Sequence, residues 1–96
     1  MIRHVVLVKF KPEADEGARR KALDDLRRLP DLIDCIREYY VGIDVLGSPR
    51  SWDLSIVSTF DDLQALERYS RNDDHVEVAM RLRELSEAVA VVDSEE

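Results

Sequence analysis

The segment Ile2–Phe10 constrains the fold of this chain more than any other part of the sequence. It is rich in β-branched residues and ends at Lys11-Pro12, a pattern that predicts a strand. Successive side chains of a strand point to opposite faces of a sheet, and here both sets are apolar in the middle of the segment. Both faces of the sheet must therefore be covered, although one layer of helices covers only one face.

The rest of the chain predicts two helical regions and three further strands. They are expected at residues 15–29 (helix), 36–45 (strand), 52–60 (strand), 61–87 (helix with a break near 70–73) and 88–92 (strand). Pro30 is predicted to end the first helix, because proline disfavours helical geometry in the residue before it. Asp61 is the predicted N-cap of the second helical region, and residues 93–96 are predicted to be a solvated tail.

The resulting order, β-α-β-β-α-β, is typical of an α+β, ferredoxin-like fold with a four-stranded antiparallel sheet. Both helices lie on one face, so the other face stays bare. That face would carry residues such as Trp52, Leu54 and Ile56 or their neighbours, too much apolar surface for a soluble monomer. A homodimer whose two sheets pack face to face as an α/β barrel covers it. The 96 residues suit a single domain, 1–96.

The amino-acid composition limits the classes of molecule that the protein is expected to bind. The net charge of −7 argues against nucleic acids and anionic lipids, which bind basic surfaces. No apolar run approaches the roughly 20 residues that span a bilayer, so no membrane partner is expected. One cysteine and the lack of an export signal favour the reduced cytoplasm.

Known cofactor and metal motifs are missing from the sequence. There is no Cys-x-x-Cys or His-Glu-x-x-His spacing, and the three glycines are isolated, so neither a phosphate loop nor a dinucleotide motif is present. The sequence therefore predicts no metal site and no cofactor.

His75 and Tyr69 are the strongest candidates for chemistry. His75 follows the predicted helix break, either as a surface histidine or as a group pointing into a cleft, with Asp73 or Asp74 holding one ring nitrogen. Tyr69 lies six residues earlier, a spacing that can bring a phenol and an imidazole into one pocket across a break. Its alternative role is simply that of a core residue.

Three other residues are candidates for ligand binding. His4 lies on a strand face that is otherwise apolar, either as a buried, hydrogen-bonded residue or as a polar group at the rim of a pocket. Tyr39-Tyr40 places one ring on each face of the sheet, and Tyr40 is predicted to line a cavity or interface. Trp52 is predicted to lie at or near the sheet-to-sheet interface.

The sequence resembles the stress-responsive α/β-barrel domain family in five places. They are the start Ile2-x-His4-x-Val6-x-x-Lys9-Phe10-Lys11, the segment Val41-Gly42-x-Asp44, the strand ending in Phe60, the pair Tyr69 and His75, and the closing Val91-Val92-Asp93. The resemblance covers nearly the whole chain. It implies a ferredoxin-like homodimer whose two sheets form a barrel, in agreement with the uncovered face.

The resemblance also bears on function. Most members of the family have no established activity, but one is a polyketide cyclase that performs an intramolecular aldol condensation. His75, Tyr69 and His4 match functional residues of this cyclase. The resemblance therefore implies that His75 and Tyr69 carry out acid–base catalysis and that His4 lies in the pocket. This chain has Asn72-Asp73-Asp74-His75 where the family has His-Pro-x-His. The change alters the turn that aims His75, and Asp73 is predicted to raise the imidazole pKa.

Several functions stay open at this point. The first is a dimeric protein that binds a small hydrophobic organic molecule, with no activity assigned. The second is a cofactor-free, cyclase-like lyase in which His75 is the base and Tyr69 the orienting or proton-donating phenol. The third is a non-catalytic, stress-related or interaction protein. A haem-binding monooxygenase on the same fold would need a pocket large enough for a porphyrin.

Overall fold

The computed structural model describes all 96 residues, Met1–Glu96. Its elements are β1 (Ile2–Phe10), α1 (Glu16–Leu32), β2 (Glu38–Ile43), β3 (Leu54–Phe60), α2 (Leu63–Arg71), α3 (Asp73–Glu84) and β4 (Ser86–Glu95). The strands form one antiparallel sheet in the order β2-β3-β1-β4. With α2 and α3 as the two parts of the broken helical region, this is the predicted ferredoxin-like fold. None of its helices has the length and apolar character needed to cross a membrane.

The helices cover one face of the sheet, which we call the closed face. The hydrophobic core lies between this face and the helices, and each large aliphatic or aromatic side chain buried there contributes about 1.5–3 kcal/mol. The strands supply Val8, Phe10, Val41, Leu54, Ile56 and Phe60, and the helices supply Ala22, Leu26, Leu29, Ala65, Tyr69 and Leu82.

The opposite face, which we call the open face, carries no helix. The central row of the open face consists of Tyr40, Val57, Val5 and Val92, which are paired across the four strands. Tyr40 and Val92 are 61% and 64% exposed. The middle of this face is apolar, as predicted. Of the residues named for it from the sequence, Leu54 and Ile56 lie on the closed face, and the open face instead carries their neighbours, such as Val57.

The prediction that Pro30 ends the first helix is wrong. α1 continues to Leu32, and the backbone N–H of Ile33 donates to the Leu29 carbonyl at 2.9 Å. A proline in the last turn removes only one intrahelical hydrogen bond. Leu29 and Ile33 are buried on either side of it, and their packing offsets that loss.

The predicted N-cap, Asp61, is also wrong by one residue. The Asp62 carboxylate accepts a hydrogen bond from the backbone N–H of Ala65 at 2.8 Å, so Asp62 caps α2. Asp61 instead accepts two hydrogen bonds from the Arg37 guanidinium, both at 2.7 Å. Its carboxylate therefore ties the start of β2 to the end of β3 and does not cap the helix.

The last strand is longer than predicted. β4 spans Ser86–Glu95, so three of the four residues expected in a solvated tail pair with β1. The edge of β1 offers backbone partners along its full length, and these hydrogen bonds hold the acidic residues in the ladder. The extension places Asp93 directly opposite His4.

Candidate functional site

A cavity of about 190 Å³ lies between the closed face and the broken helix. We call it the histidine cavity. Nine of its thirteen lining residues are hydrophobic. The lining consists of His4, Val6, Leu26, Ile56, Tyr69, Ser70, His75, Val78, Ala79, Leu82, Arg83, Val89 and Val91. It is thus an apolar space into which two imidazoles and one phenol ring project.

The helix break aims His75 into this cavity. Asn72 caps α3, and its side-chain oxygen accepts from the backbone N–H groups of Asp74 at 2.9 Å and His75 at 3.4 Å. The α3 residues that line the cavity follow His75 at spacings of three, four, seven and eight residues, which is one face of a helix.

His75 is held by a backbone carbonyl. Its Nδ1 lies 3.3 Å from the carbonyl oxygen of Ser70, which can only accept, so Nδ1 carries the proton and Nε2 bears the free lone pair. Burial lowers the pKa of His75, His4 lowers it further, and the Ser70 hydrogen bond opposes both effects. The prediction that Asp73 or Asp74 holds the ring and raises its pKa is wrong, because both carboxylates are exposed in the first turn of α3.

Tyr69 packs against His75 without a hydrogen bond between the two side chains. The ring centroids are 4.2 Å apart at an angle of 45°. The Tyr69 ring is buried and also packs against Phe60, at a centroid distance of 5.0 Å. Burial raises the pKa of the Tyr69 hydroxyl, and the nearby Cys35 adds to this effect. The phenol is therefore neutral at physiological pH.

A polar row crosses the closed face beside the cavity. Direct strand pairing aligns Tyr39, Ser58, His4 and Asp93, one from each strand. The Tyr39 hydroxyl and the Ser58 Oγ are both buried without a hydrogen-bond partner, although the Tyr69 hydroxyl lies near that of Tyr39. The alternation within each strand puts these residues on one face of the sheet. Their alignment in one row depends on the strand register, which the sequence does not indicate.

His4 is oriented by Asp93, a residue that sequence reasoning missed because it was assigned to the tail. His4 Nδ1 is hydrogen-bonded to Asp93 Oδ1, which leaves Nε2 as the second polar atom of the ring. The His4 and Tyr69 ring centroids are 6.1 Å apart. The structure therefore brings His4, Tyr69 and His75 together.

The other two predicted site residues, Tyr40 and Trp52, lie on the opposite side of the sheet. They line a separate groove of about 370 Å³ with Leu7. Trp52 precedes β3, which begins at Leu54. The backbone bends at Asp53, between these two residues, so the strand alternation does not extend to Trp52. The structure separates these two residues from the three around the histidine cavity.

A larger groove, of about 530 Å³, lies between the start of α1 and the β2–β3 connection. Its polar side chains already have structural partners. Arg19 donates to the Lys11 and Ala14 carbonyls, and Asp53 accepts from Phe10. No histidine, cysteine or tyrosine lines it. Size alone therefore does not make it the better candidate.

The arrangement of side chains and the size of the histidine cavity limit which metals and cofactors the protein can hold. No group of three or more His, Cys, Asp or Glu side chains is arranged to hold a metal ion. The histidine cavity, at about 190 Å³, is smaller than the roughly 300–1,000 Å³ of pockets for drug-sized ligands. A porphyrin does not fit it.

The family model of the stress responsive A/B barrel domain matches residues 2–96 of the chain. The chain belongs to this family. The family resemblance seen in the sequence is thereby confirmed. No curated protein matches the sequence.

Several solved structures have a similar fold. A dimeric protein of unknown function from Bacteroides fragilis is 27% identical, with a TM-score of 0.82 over 99% of this chain and 95% of that one. A dimeric ferredoxin-like protein of unknown function from Thermobifida fusca is 19% identical, with a TM-score of 0.90 over 99% and 90%. A hydroxynitrile lyase from Passiflora edulis is 16% identical, with a TM-score of 0.87 over 97% and 90%. The last two likenesses concern the fold alone.

Proposed function

We propose that this stress responsive A/B barrel domain protein is a homodimer that binds a small, mostly apolar organic molecule in the histidine cavity of each protomer. One observation carries the proposal: two imidazoles and a phenol meet in a cavity whose lining is otherwise largely hydrophobic. Small-molecule sites typically combine apolar walls with a few convergent polar groups.

The size of the cavity limits the ligand. A cavity of about 150 Å³ in another protein holds benzene. At about 190 Å³, the histidine cavity has room for one ring with a short substituent. A long, linear polyketide is too large, so a cyclase-like reaction here would act on a short substrate.

The homodimer is supported by the open face. Its central row, Tyr40, Val57, Val5 and Val92, is apolar and has no helix over it. Structural neighbours from Bacteroides fragilis and Thermobifida fusca are described as dimeric. Packing two open faces together would also cover the groove of Tyr40 and Trp52, giving these residues a role at the interface. We assign the dimer to the reduced cytoplasm because Cys35 is free.

A second candidate function is acid–base catalysis of the lyase type, and the state of His75 favours it. A neutral imidazole with its Nε2 lone pair free can accept a proton near pH 7. The Passiflora neighbour is a hydroxynitrile lyase. In such a cleavage the base removes the hydroxyl proton, the bond between carbon and cyanide breaks, an aldehyde forms, and cyanide leaves and takes up a proton.

In this candidate mechanism Tyr69 has the orienting role, one of the two predicted for it, and not that of a proton donor. Its ring supports His75 by packing, and its hydroxyl reaches toward Tyr39. We therefore assign His75 as the base, Tyr69 as the group that positions it, and His4, held by Asp93, as the second polar contact for the ligand. A non-catalytic, stress-related role is the outcome if neither binding nor turnover is found.

Calorimetric titration with benzamide, a neutral single-ring probe, tests the binding proposal. We expect saturable binding to the wild type and at least tenfold weaker binding to Ala79→Leu, which fills the cavity. Val76→Leu, on the same helix but outside the lining, is the matched control and should bind as the wild type does. Binding that is insensitive to Ala79→Leu, or no binding at all, contradicts the proposal. Release of benzaldehyde from mandelonitrile, compared between wild type and His75→Ala, tests the lyase candidate.

A further inference from the structure

The lining of the histidine cavity contains one permanently charged side chain, and its charge is positive. Arg83 is the only Asp, Glu, Lys or Arg among its thirteen residues. The chain as a whole has 21 acidic residues and 14 basic ones, so a cavity lining without a carboxylate runs against the composition. The nearest acid on the closed face, Asp93, is hydrogen-bonded to His4 and does not line the cavity.

Arg83 has no partner within the protein. Its side chain forms neither an ion pair nor a hydrogen bond in the structure, whereas Arg81, two residues earlier on α3, pairs with Glu77 and Asp25. An arginine can bind a carboxylate through two parallel hydrogen bonds. The guanidinium at the edge of the cavity is therefore free to bind one.

The positions of Arg83 and His75 also fit a ligand of defined length. They lie eight residues apart on the same face of α3, which is about 12 Å along the helix axis. A long side chain on a helix generally leans back toward the N-terminus, a direction that would bring the guanidinium of Arg83 toward His75. The remaining space holds about one aromatic ring.

We propose that the ligand of the histidine cavity is a small organic acid, with its carboxylate on Arg83 and its apolar ring directed toward His75. This inference rests on the proposed function, because it names the class of molecule that occupies the same cavity. A carboxylic acid of one ring satisfies the charge of Arg83, the apolar walls and the volume of about 190 Å³ together.

The test compares benzoate with benzamide, which has the same shape but no charge. Calorimetric titrations are made at pH 8, where a guanidinium is charged and imidazoles are ordinarily neutral. We expect the wild type to bind benzoate about tenfold more tightly than benzamide, because hydrogen bonds to charged groups contribute more than neutral ones. Arg83→Gln should remove this preference, so that benzoate binds no more tightly than benzamide.

Arg68→Gln is the matched control. Arg68 lies on α2, is exposed and outside the cavity lining, and forms no ion pair, so this variant should keep the benzoate preference. A preference that survives in Arg83→Gln, or equal binding of the two probes by the wild type, overturns the inference and leaves the proposed function standing. Binding of neither probe overturns both. A lower melting temperature of Arg83→Gln with an intact preference would mean that Arg83 only stabilises the end of α3.

Discussion

The two faces of the sheet are built from the same strands but have different roles. On the closed face, β3 contributes Ile56, Ser58 and Phe60, which are all buried under helices beside the histidine cavity. On the open face, the same strand contributes Ser55 and Val57, which are half-buried, and Thr59, whose hydroxyl donates to the Glu38 carboxylate at 3.1 Å. Adjacent residues of one strand thus point toward the histidine cavity and the helices or toward the open face, according to the pleat alone.

This difference explains why the five predicted site residues split into two groups. His4, Tyr69 and His75 surround one cavity, whereas Tyr40 and Trp52 line a groove on the other side of the sheet. The role of an aromatic or polar residue in a strand of this fold can therefore be assigned only when it is known which face of the sheet carries the residue.

The largest effect is expected from a charge on the open face. Val57→Asp would place a carboxylate in the middle of the proposed dimer interface, where its desolvation costs several kcal/mol. We expect dimer dissociation to become at least a thousandfold easier, with an 11.1 kDa species observed by light scattering at micromolar concentration. Val76→Asp, an identical change on the exposed side of α3, should stay dimeric. A monomeric wild type would contradict the assignment of the open face.

Alanine substitutions at two neighbouring residues of β3 distinguish the contributions of the two faces to stability. Ile56→Ala removes a side chain that is only 4% exposed in the core, so unfolding should become easier by about 2–5 kcal/mol. Val57→Ala should lower protomer stability by less and act mainly on the dimer. Urea unfolding at several protein concentrations measures both effects. Equal losses of protomer stability would mean that the faces are not distinct.

A smaller effect of the opposite sign is expected at Ser58. Its Oγ is buried without a partner, and such a group costs free energy. Ser58→Ala should therefore raise the free energy of unfolding by about 1 kcal/mol, while Ser55→Ala on the open face changes it little. A destabilised Ser58→Ala would instead mean that the hydroxyl is hydrogen-bonded to a buried water molecule.

The sequence was enough to predict the fold because each element carried a clear local signal. The alternation in Ile2–Phe10 indicated which residues lie on each face of β1, and the polar residues around Asn72 indicated the helix break. The pairing of Tyr69 and His75 in one pocket was also predicted.

The sequence did not reveal the register of the strands or the hydrogen-bond partners of the site residues. Asp93 was missed because acidic residues at a chain end resemble a tail, and only pairing with β1 brings this one to His4. The Ser70 carbonyl that holds His75 is a backbone group, which every residue has. Hydrogen bonding and burial, which together set the pKa of His75, therefore became visible only in three dimensions.

The lowered pKa of His75 has a consequence for stability. Above the ordinary value of 6.5 the ring is neutral in both the folded and the unfolded chain, so it has no effect there. As the pH falls through 6.5, the unfolded chain takes up the proton more readily, and stability decreases until the pH reaches the lower pKa of the folded protein. His75→Gln should remove this part of the pH dependence.

Nitrogen-15 NMR of the His75 ring reports directly on whether the histidine cavity holds a neutral imidazole with Nε2 free. We expect a protonated Nδ1 and an unprotonated Nε2 at pH 7.5, with a titration midpoint below 6.5. A midpoint above 6.5, or a proton on Nε2 at pH 7.5, would contradict this assignment.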